Sequence, residues 1–383
     1  MKLIYLDNAA TTPVDKDVIK AMLPFLDEKF GNASSLHKYG MDAKQALDKS
    51  REIIACKINA KPEEIIFTSG GSESDNLALK GIAHEYSYKG KHIITSRIEH
   101  PAVLESCKDM EDEGFNITYL DVDKEGFVNL SQLKKAIRKD TILVSIMHAN
   151  NEIGTIQDIS SIGKMCREKG IIFHSDCVQS FSKVPIDVEK MCIGLASLSS
   201  HKIHGPKGIG ALYVSNEIRL RRMIHGGKQE FGYRAGTENI PAIVGFAKAV
   251  ELAEDKYVGK MGRIRDLIIS RLLNEIPDSF LNGTQGDKRL CNNINISFRF
   301  TDGEALMMDL DVKGIAVSTG SACSSGSKEP SHVLMAIDLE DSLARGSIRI
   351  TLNRYLLSEN EIDYVVKSIK EIVTNIRKIN TRK

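Results

Sequence analysis

The sequence predicts an α/β protein with a mainly parallel sheet, followed by a smaller α+β unit at its carboxyl end. Three observations lead there. Between residues 64 and 214, short apolar runs alternate with amphipathic stretches of about ten residues, the pattern of strands joined by covering helices. Past residue 239 that alternation gives way to a long helical pattern and then to mixed strands and helices, which places a boundary in the 250s. At 383 residues the chain is too long for one small core, so two domains are expected.

The elements follow in chain order. Leu3–Asp7 is a short apolar run, and residues 8–13 have no periodicity and form an arm or loop. Val18, Met22, Phe25 and Leu26 have helical spacing, with a kink expected at Pro24. Ser34 or Ser35 is the expected cap of a long helix running to about Ile58. Strands are then expected at Glu64–Thr68, His92–Ile98, Ile117–Val122, Thr141–His148, Ile171–Asp176, Leu195–Leu198 and Gly210–Val214. Helices are expected between them at Ser72–His84, Pro101–Met110, Leu130–Arg138 and Ile159–Lys169. A long helical stretch runs through Arg263–Leu273. Beyond it come strands at Asn293–Phe298, Ile315–Ser318 and Ser347–Leu352, interleaved with helices at Gly303–Leu310, Pro330–Ile337 and Glu359–Ile379.

Composition excludes several classes. Charged residues are 27% and apolar ones 42%, ordinary for a globular enzyme. A formal net charge of +1 gives no bulk field toward nucleic acid or membrane. No apolar run is long enough to span a bilayer, and the early charges argue against a signal peptide. The seven cysteines contain no C-x-x-C, which disfavours a zinc or thioredoxin-like site. Reduced thiols in a cytoplasm are the expectation.

The chemistry concentrates where strands end, the edge at which open α/β sheets bind ligands. Ser197–Gly208 sets Lys202 between a Ser/His cluster and a turn made by Gly205, Pro206 and Gly208. A lysine held at a strand exit is suited to a Schiff base with a carbonyl, and pyridoxal 5'-phosphate (PLP) is the commonest such cofactor. Ser199, Ser200 and His201 offer donors for its phosphate, while Lys207 is the competing amine. Thr68–Asp75 joins a strand to a helix through Gly70 and Gly71, so that backbone N–H groups can approach an anion. Asp176 closes a strand, where it can pair with a pyridine N–H; a helix-capping aspartate is the alternative. Gln179, His100 and Asn150-Asn151-Glu152 stand at further strand exits. Cys323 alone among the cysteines lies in a Gly/Ser-rich segment, Ser318–Ser327, where an exposed thiol can react.

These stretches resemble the cysteine desulfurases of the NifS/IscS group, within the class V aminotransferases of PLP fold type I. The resemblance is carried by Tyr5–Pro13, Phe30-Gly31-Asn32, Thr68–Leu77, Glu99-His100, His148–Gly154, Asp176–Gln179, Ser199–Gly210, Arg234–Asn239 and Gly320–Ser325. It implies a large domain, residues 14–255, built on a mainly parallel seven-stranded sheet. It implies a smaller α+β domain from residues 1–13 and 256–383 that carries the nucleophilic cysteine. It implies removal of sulfur from L-cysteine to give L-alanine and a persulfide on Cys323, passed on for iron–sulfur cluster assembly or tRNA thiolation. By the same resemblance, Lys202 is the Schiff-base lysine. Gly71, Ser72, Ser199, His201 and, from a second subunit of a homodimer, Thr237 hold the phosphate. His100 stacks on the ring, Asp176 pairs with its nitrogen and Gln179 contacts its phenolic oxygen. Asn151 and Arg349 grip the substrate carboxylate, and the expected partners are L-cysteine and a scaffold or other sulfur-acceptor protein.

Three positions depart from the group's usual pattern: Lys228 and Asn353 stand where glycine is common, and Gly194 where aspartate is frequent. A selenocysteine lyase or another class V transformation, and a non-catalytic docking partner, are the rival readings. Cys323 disfavours the first, and Lys202, Asp176 and His100 together with it disfavour the second. Thr319–Ser327 holds two glycines and four serines, a composition suited to a hinged loop whose sulfur rests beyond attacking distance from the substrate.

Overall fold

A computed structural model describes residues 3–319 and 330–380. Twelve strands are present among the described residues. They are β1 (Ile4–Tyr5), β2 (Ile65–Thr68), β3 (His92–Ser96), β4 (Asn116–Leu120), β5 (Thr141–Ser145) and β6 (Ile172–Asp176). Then come β7 (Leu195–Ser199), β8 (Gly210–Val214), β9 (Ser279–Leu281), β10 (Asn293–Phe298), β11 (Ile315–Ala316) and β12 (Ser347–Thr351).

The large sheet has seven strands in the order β2-β8-β7-β6-β5-β3-β4. Only β8 runs against the rest, being antiparallel to both β2 and β7. Helices cover both faces, which is why these strands are near-continuous apolar runs. Along β2 the side chains alternate: Ile65 and Phe67 enter the core on one face, and Ile66 the core on the other. The pairing aligns Thr68 with Gly210 and Gly210 with Ser199, and sets Asp176 opposite Ser197. Thr68, Ser199 and Asp176 therefore reach one edge together.

A separate core is formed by residues from Ile268 to Ile376 together with Ile4 and Leu6. It packs around a three-stranded antiparallel sheet, β12-β10-β9, beside which β1 pairs with β11 in parallel. The amino-terminal arm continues from there to the large sheet. The Leu6 carbonyl accepts the N–H of Thr351, and the Thr12 N–H and hydroxyl both bond the His201 carbonyl, at 3.0 and 2.8 Å. One stretch of chain thus ties β12 to the turn that carries Lys202.

Several local expectations change. The long helix begins at Lys38, not after Ser34 or Ser35, because the imidazole of His37 accepts the N–H of Gly40 and caps it. Pro24 does interrupt the first helix, which becomes a 3-10 turn over Leu23–Phe25. The helical stretch after residue 239 is two helices, Ile240–Glu251 and Asp255–Glu275. β9 and the short helix Asp341–Arg345 have no sequence signal, being too brief for either period to register. No helix among the described residues is long and apolar enough to cross a membrane.

Candidate active site

The site lies at the carboxyl edge of the large sheet, and its parts follow from the strand ends. β7 runs directly into a 3-10 turn, Ser200–Lys202. That turn points the Lys202 amine at the arm, where Nζ donates to the carbonyls of Ala9 and Ala10 at 2.6 and 2.8 Å. Gln179 Nε2 donates to the same Ala9 carbonyl at 3.0 Å, which brings Gln179 beside Lys202. His201 Nδ1 bonds the Thr11 hydroxyl at 3.1 Å. Burial, followed by the charges of Lys202, Lys207 and Lys183, pushes His201 down to about 4, so its imidazole is neutral.

β2 exits into Ser69-Gly70-Gly71 and the helix Gly71–Tyr86, whose first turn has no side-chain cap. A 16-residue helix with a bare amino terminus presents free N–H groups and partial positive charge to an anion. Only glycine fits at 71, since a Cβ there would stand 2.8 Å from Val178 Cγ2. The Cβ of Ser199 would lie 3.8 Å from that same added atom, and the buried Ser199 Oγ has no hydrogen-bond partner. A buried hydroxyl without a partner is costly, and this one fits an anion held at the helix terminus beside it.

Asp176 ends β6 with its side chain buried, and its Oδ1 accepts the N–H of Val178 at 2.9 Å. Burial raises its carboxyl, while His100, the Val178 N–H and Lys202 pull it back. A cationic partner such as a pyridine N–H would restore the charge. His100 precedes the helix Pro101–Asp112 and caps it, Nδ1 accepting the Ala102 N–H at 3.1 Å. That bond leaves the proton on Nε2, and burial first among its surroundings lowers the imidazole.

Arg349 approaches from the smaller sheet and meets Asn151, which follows β5 of the large sheet. Arg349, on β12 and 3% exposed, donates Nη2 to Asp7 Oδ1 at 2.9 Å and Nη1 to the Asn151 carbonyl at 3.4 Å. Its Nε is buried without a partner. Asn151 itself is half-buried. Ser72 sits in the first turn of the uncapped helix, and Thr237 is exposed on its own chain. Cys323 lies outside the described residues, as does most of the loop expected around it.

Sequence reasoning passes over several buried groups here. Asp75 is buried with Oδ1 unpartnered, 3.7 Å from His174 Nε2, and is raised well above the carboxylate range by burial and then by Asp176. Glu99 accepts the Ser96 hydroxyl at 2.5 Å and the Met147 N–H at 3.0 Å, and burial pushes it up to about 8. Both stand in stretches already singled out, Thr68–Leu77 and Glu99-His100, but nothing in the sequence foretells their burial. Of the departures, a Cβ at Gly194 would stand 2.6 Å from Ile218 Cδ1 and 3.2 Å from the Phe173 carbonyl, so a side chain there would require the half-buried Ile218 to shift. Asn353 bonds Asn8 Oδ1 at 2.9 Å and so braces the arm.

Glu152 gives a pH-dependent test. It is buried, its Oε2 accepts the Ser331 hydroxyl at 2.5 Å, and burial outweighs that bond and Arg349 to push it up to about 7. Between its ordinary value near 4.5 and about 7, the folded state holds a proton that the unfolded state has released. Its contribution to stability is present below that window and is lost as pH rises through it. Glu152→Gln is therefore expected to be more stable than the parent at pH 8, by up to about 3 kcal/mol, and little changed near pH 4. Thermal unfolding at both pH values checks this, and an equal shift at both would contradict it.

The likeness of this chain to known proteins runs over nearly its whole length. The family model described as aminotransferase class-V matches residues 4–365. A cysteine desulfurase IscS of Dictyoglomus turgidum is 51% identical, over 99% of this chain and 97% of that protein. One from Methanosarcina thermophila is 50% identical, over 99% and 94%. Among solved structures, a NifS-like protein superposes with a TM-score of 0.91 at 39% identity, covering 97% of this chain and all (100%) of that one. A structure described as SspA in complex with cysteine gives 0.83 at 41% identity, covering 92% and 100%.

Proposed function

The chain belongs to the aminotransferase class-V family and is a PLP-dependent cysteine desulfurase, and we propose that its own residues divide the removal of sulfur from L-cysteine as follows. Gly71, Ser72, Ser199 and His201, with Thr237 of a second subunit, would hold the phosphate. His100 would lie against the ring, Asp176 would pair with its nitrogen and Gln179 with its phenolic oxygen. When bound, the cofactor supplies an electron sink for charge released at the substrate α-carbon.

The remaining work falls to side chains. Arg349 and Asn151 orient the substrate carboxylate, the guanidinium through its unpartnered Nε–H. Lys202 Nζ takes and returns the α-proton, with the neutral His100 as a second proton carrier. The thiolate of Cys323 attacks the substrate sulfur. The substrate C–S bond breaks, an S–S bond forms on Cys323, and the carbon gains a proton, so that cysteine leaves as alanine. The sulfane sulfur then passes to an acceptor protein for iron–sulfur assembly or tRNA thiolation.

What supports this reading is one coincidence. An uncapped helix amino terminus, an unpartnered buried Ser199, Lys202 and a buried Asp176 all meet at one sheet edge. Exposed Thr237 fits a homodimer in which it serves the other subunit. The core that joins Ile4 and Leu6 to residues from Ile268 onward fits a division into residues 14–255 and 1–13 with 256–383. Seven cysteines without C-x-x-C fit a reducing cytoplasm.

The test is product analysis with L-cysteine and a thiol reductant. Alanine and sulfide are expected one to one from a protein that is yellow, with absorbance at about 400 nm. Absence of alanine would overturn the reading, and turnover of L-selenocysteine alone would move it to a selenocysteine lyase.

A further inference from the structure

The loop that carries Thr237 is tied down within its own chain by a device the reaction does not explain. Arg51, inside the helix Lys38–Lys57, donates Nη1 and Nη2 to Glu230 Oε2 and Oε1 at 2.7 and 2.8 Å. The two side chains are 5% and 3% exposed. Among the described residues no other arginine–carboxylate pair is so deeply buried on both sides. Glu230 Oε2 also accepts the N–H of Phe67 at 2.8 Å, and Arg51 donates to the Ile65 carbonyl. The guanidinium lies 4.7 Å from the Phe67 ring and 4.9 Å from the Phe231 ring.

The backbone there explains why so much is spent on one pair. Glu230 and Phe231 are consecutive left-handed residues, with φ of 44° and 56°. Bulky residues keep that conformation only where their surroundings over-determine it. Beyond them the loop is closed on itself, the Gly236 N–H donating to Gln229 Oε1 at 3.2 Å. It is tied a second time by Arg234, whose Nε donates to Glu73 Oε1 at 3.0 Å, while Glu73 Oε2 accepts the Ser69 N–H at 2.8 Å. Thr237 follows the closing residue and is exposed.

We propose that Arg51 and Glu230 are positioning residues for the cofactor phosphate: they lock the left-handed turn from which Thr237 is presented to the cradle of the second subunit. This rests on the homodimer reading above. A pair that merely stabilised its own chain would act on its own cradle, through Phe67 and β2, so the two cases differ in which site fails.

Glu230→Gln keeps the shape and removes the charge. In the homodimer it is expected to weaken PLP binding about tenfold or more while leaving the weaker binding of pyridoxal, which has no phosphate, within about twofold. Mixed dimers carrying two affinity tags then separate the subunits, because a chain with Lys202→Ala cannot develop the absorbance near 400 nm. A Glu230→Gln chain paired with a Lys202→Ala chain should bind PLP like the parent, since its working site receives an intact loop. A parent chain paired with the Lys202→Ala/Glu230→Gln double variant should show the weakened binding. The reversed pattern, equal loss in both mixtures, or equal loss of PLP and pyridoxal overturns the proposal. Should Glu230→Gln fail to assemble, Arg51→Lys keeps a cation against Glu230 but loses the fork, and the same pattern is expected at a few-fold. Sedimentation of the parent is run alongside: an active monomer would remove the dimer reading and this proposal with it, whereas the wrong pattern in a dimer removes only the proposal.

Discussion

Lys202→Ala is expected to stop conversion of cysteine to alanine while the chain remains folded. Proton transfer alone is worth on the order of 10²–10⁴-fold, and loss of the covalent link to the cofactor adds to it. The structural cost is small by comparison. Lys202 Nζ bonds the carbonyls of Ala9 and Ala10, and losing those bonds on a half-buried side chain costs about 1–3 kcal/mol. Thermal unfolding should therefore shift modestly while turnover vanishes. Lys207 supplies the control: it is exposed in the following turn, and Lys207→Ala should retain most of the activity. A Lys202→Ala protein that stayed yellow and active would show that another amine does the work.

Arg349→Ala should raise the Michaelis constant for cysteine far more than the dissociation constant for PLP. The guanidinium is 3% exposed, and truncating one member of a buried charge pair costs about 2–5 kcal/mol, roughly 30-fold to several thousandfold. Some of that loss falls on the fold, because Asp7 would lose its partner at 2.9 Å. Arg349→Lys separates the two effects. A lysine keeps a cation for Asp7 but cannot offer the planar fork that a carboxylate engages. It should restore stability and leave the Michaelis constant raised. An unchanged Michaelis constant in both variants would remove Arg349 from substrate binding.

The large sheet is legible because its strands carry their own signal. β3, β5, β6, β7 and β8 are apolar runs bounded by turn residues, and the expected spans fall within a few residues of their true ends. Short elements are not legible: β9 has three residues, too few for a period of two to stand out. The cap at His37 escapes for a different reason. Serine is the usual capping residue, and only the chain's path places the imidazole under the Gly40 N–H. Lys202, Asp176 and His100 stand out because each ends a strand or opens a helix. The pairing of Arg349 with Asp7 does not, since 342 residues separate them and nothing local links the two.

Local sequence is enough to set the alternation of strands and helices, the glycine turn before the uncapped helix, and the lysine at the strand exit. Periodicity, backbone freedom and the residue that follows a strand are all properties of neighbours along the chain. Which polar groups are buried, and what they meet, depends on the completed fold. Burial comes from neighbours in distant parts of the chain, and it is burial that makes His201 neutral, raises Asp176 and leaves Ser199 without a partner. The same holds for Arg51 and Glu230, which are 179 residues apart and ordinary in sequence. They become a clamp because the fold closes water out from around two opposite charges and sets them against each other, with the Phe67 N–H and the Ile65 carbonyl meeting their remaining groups.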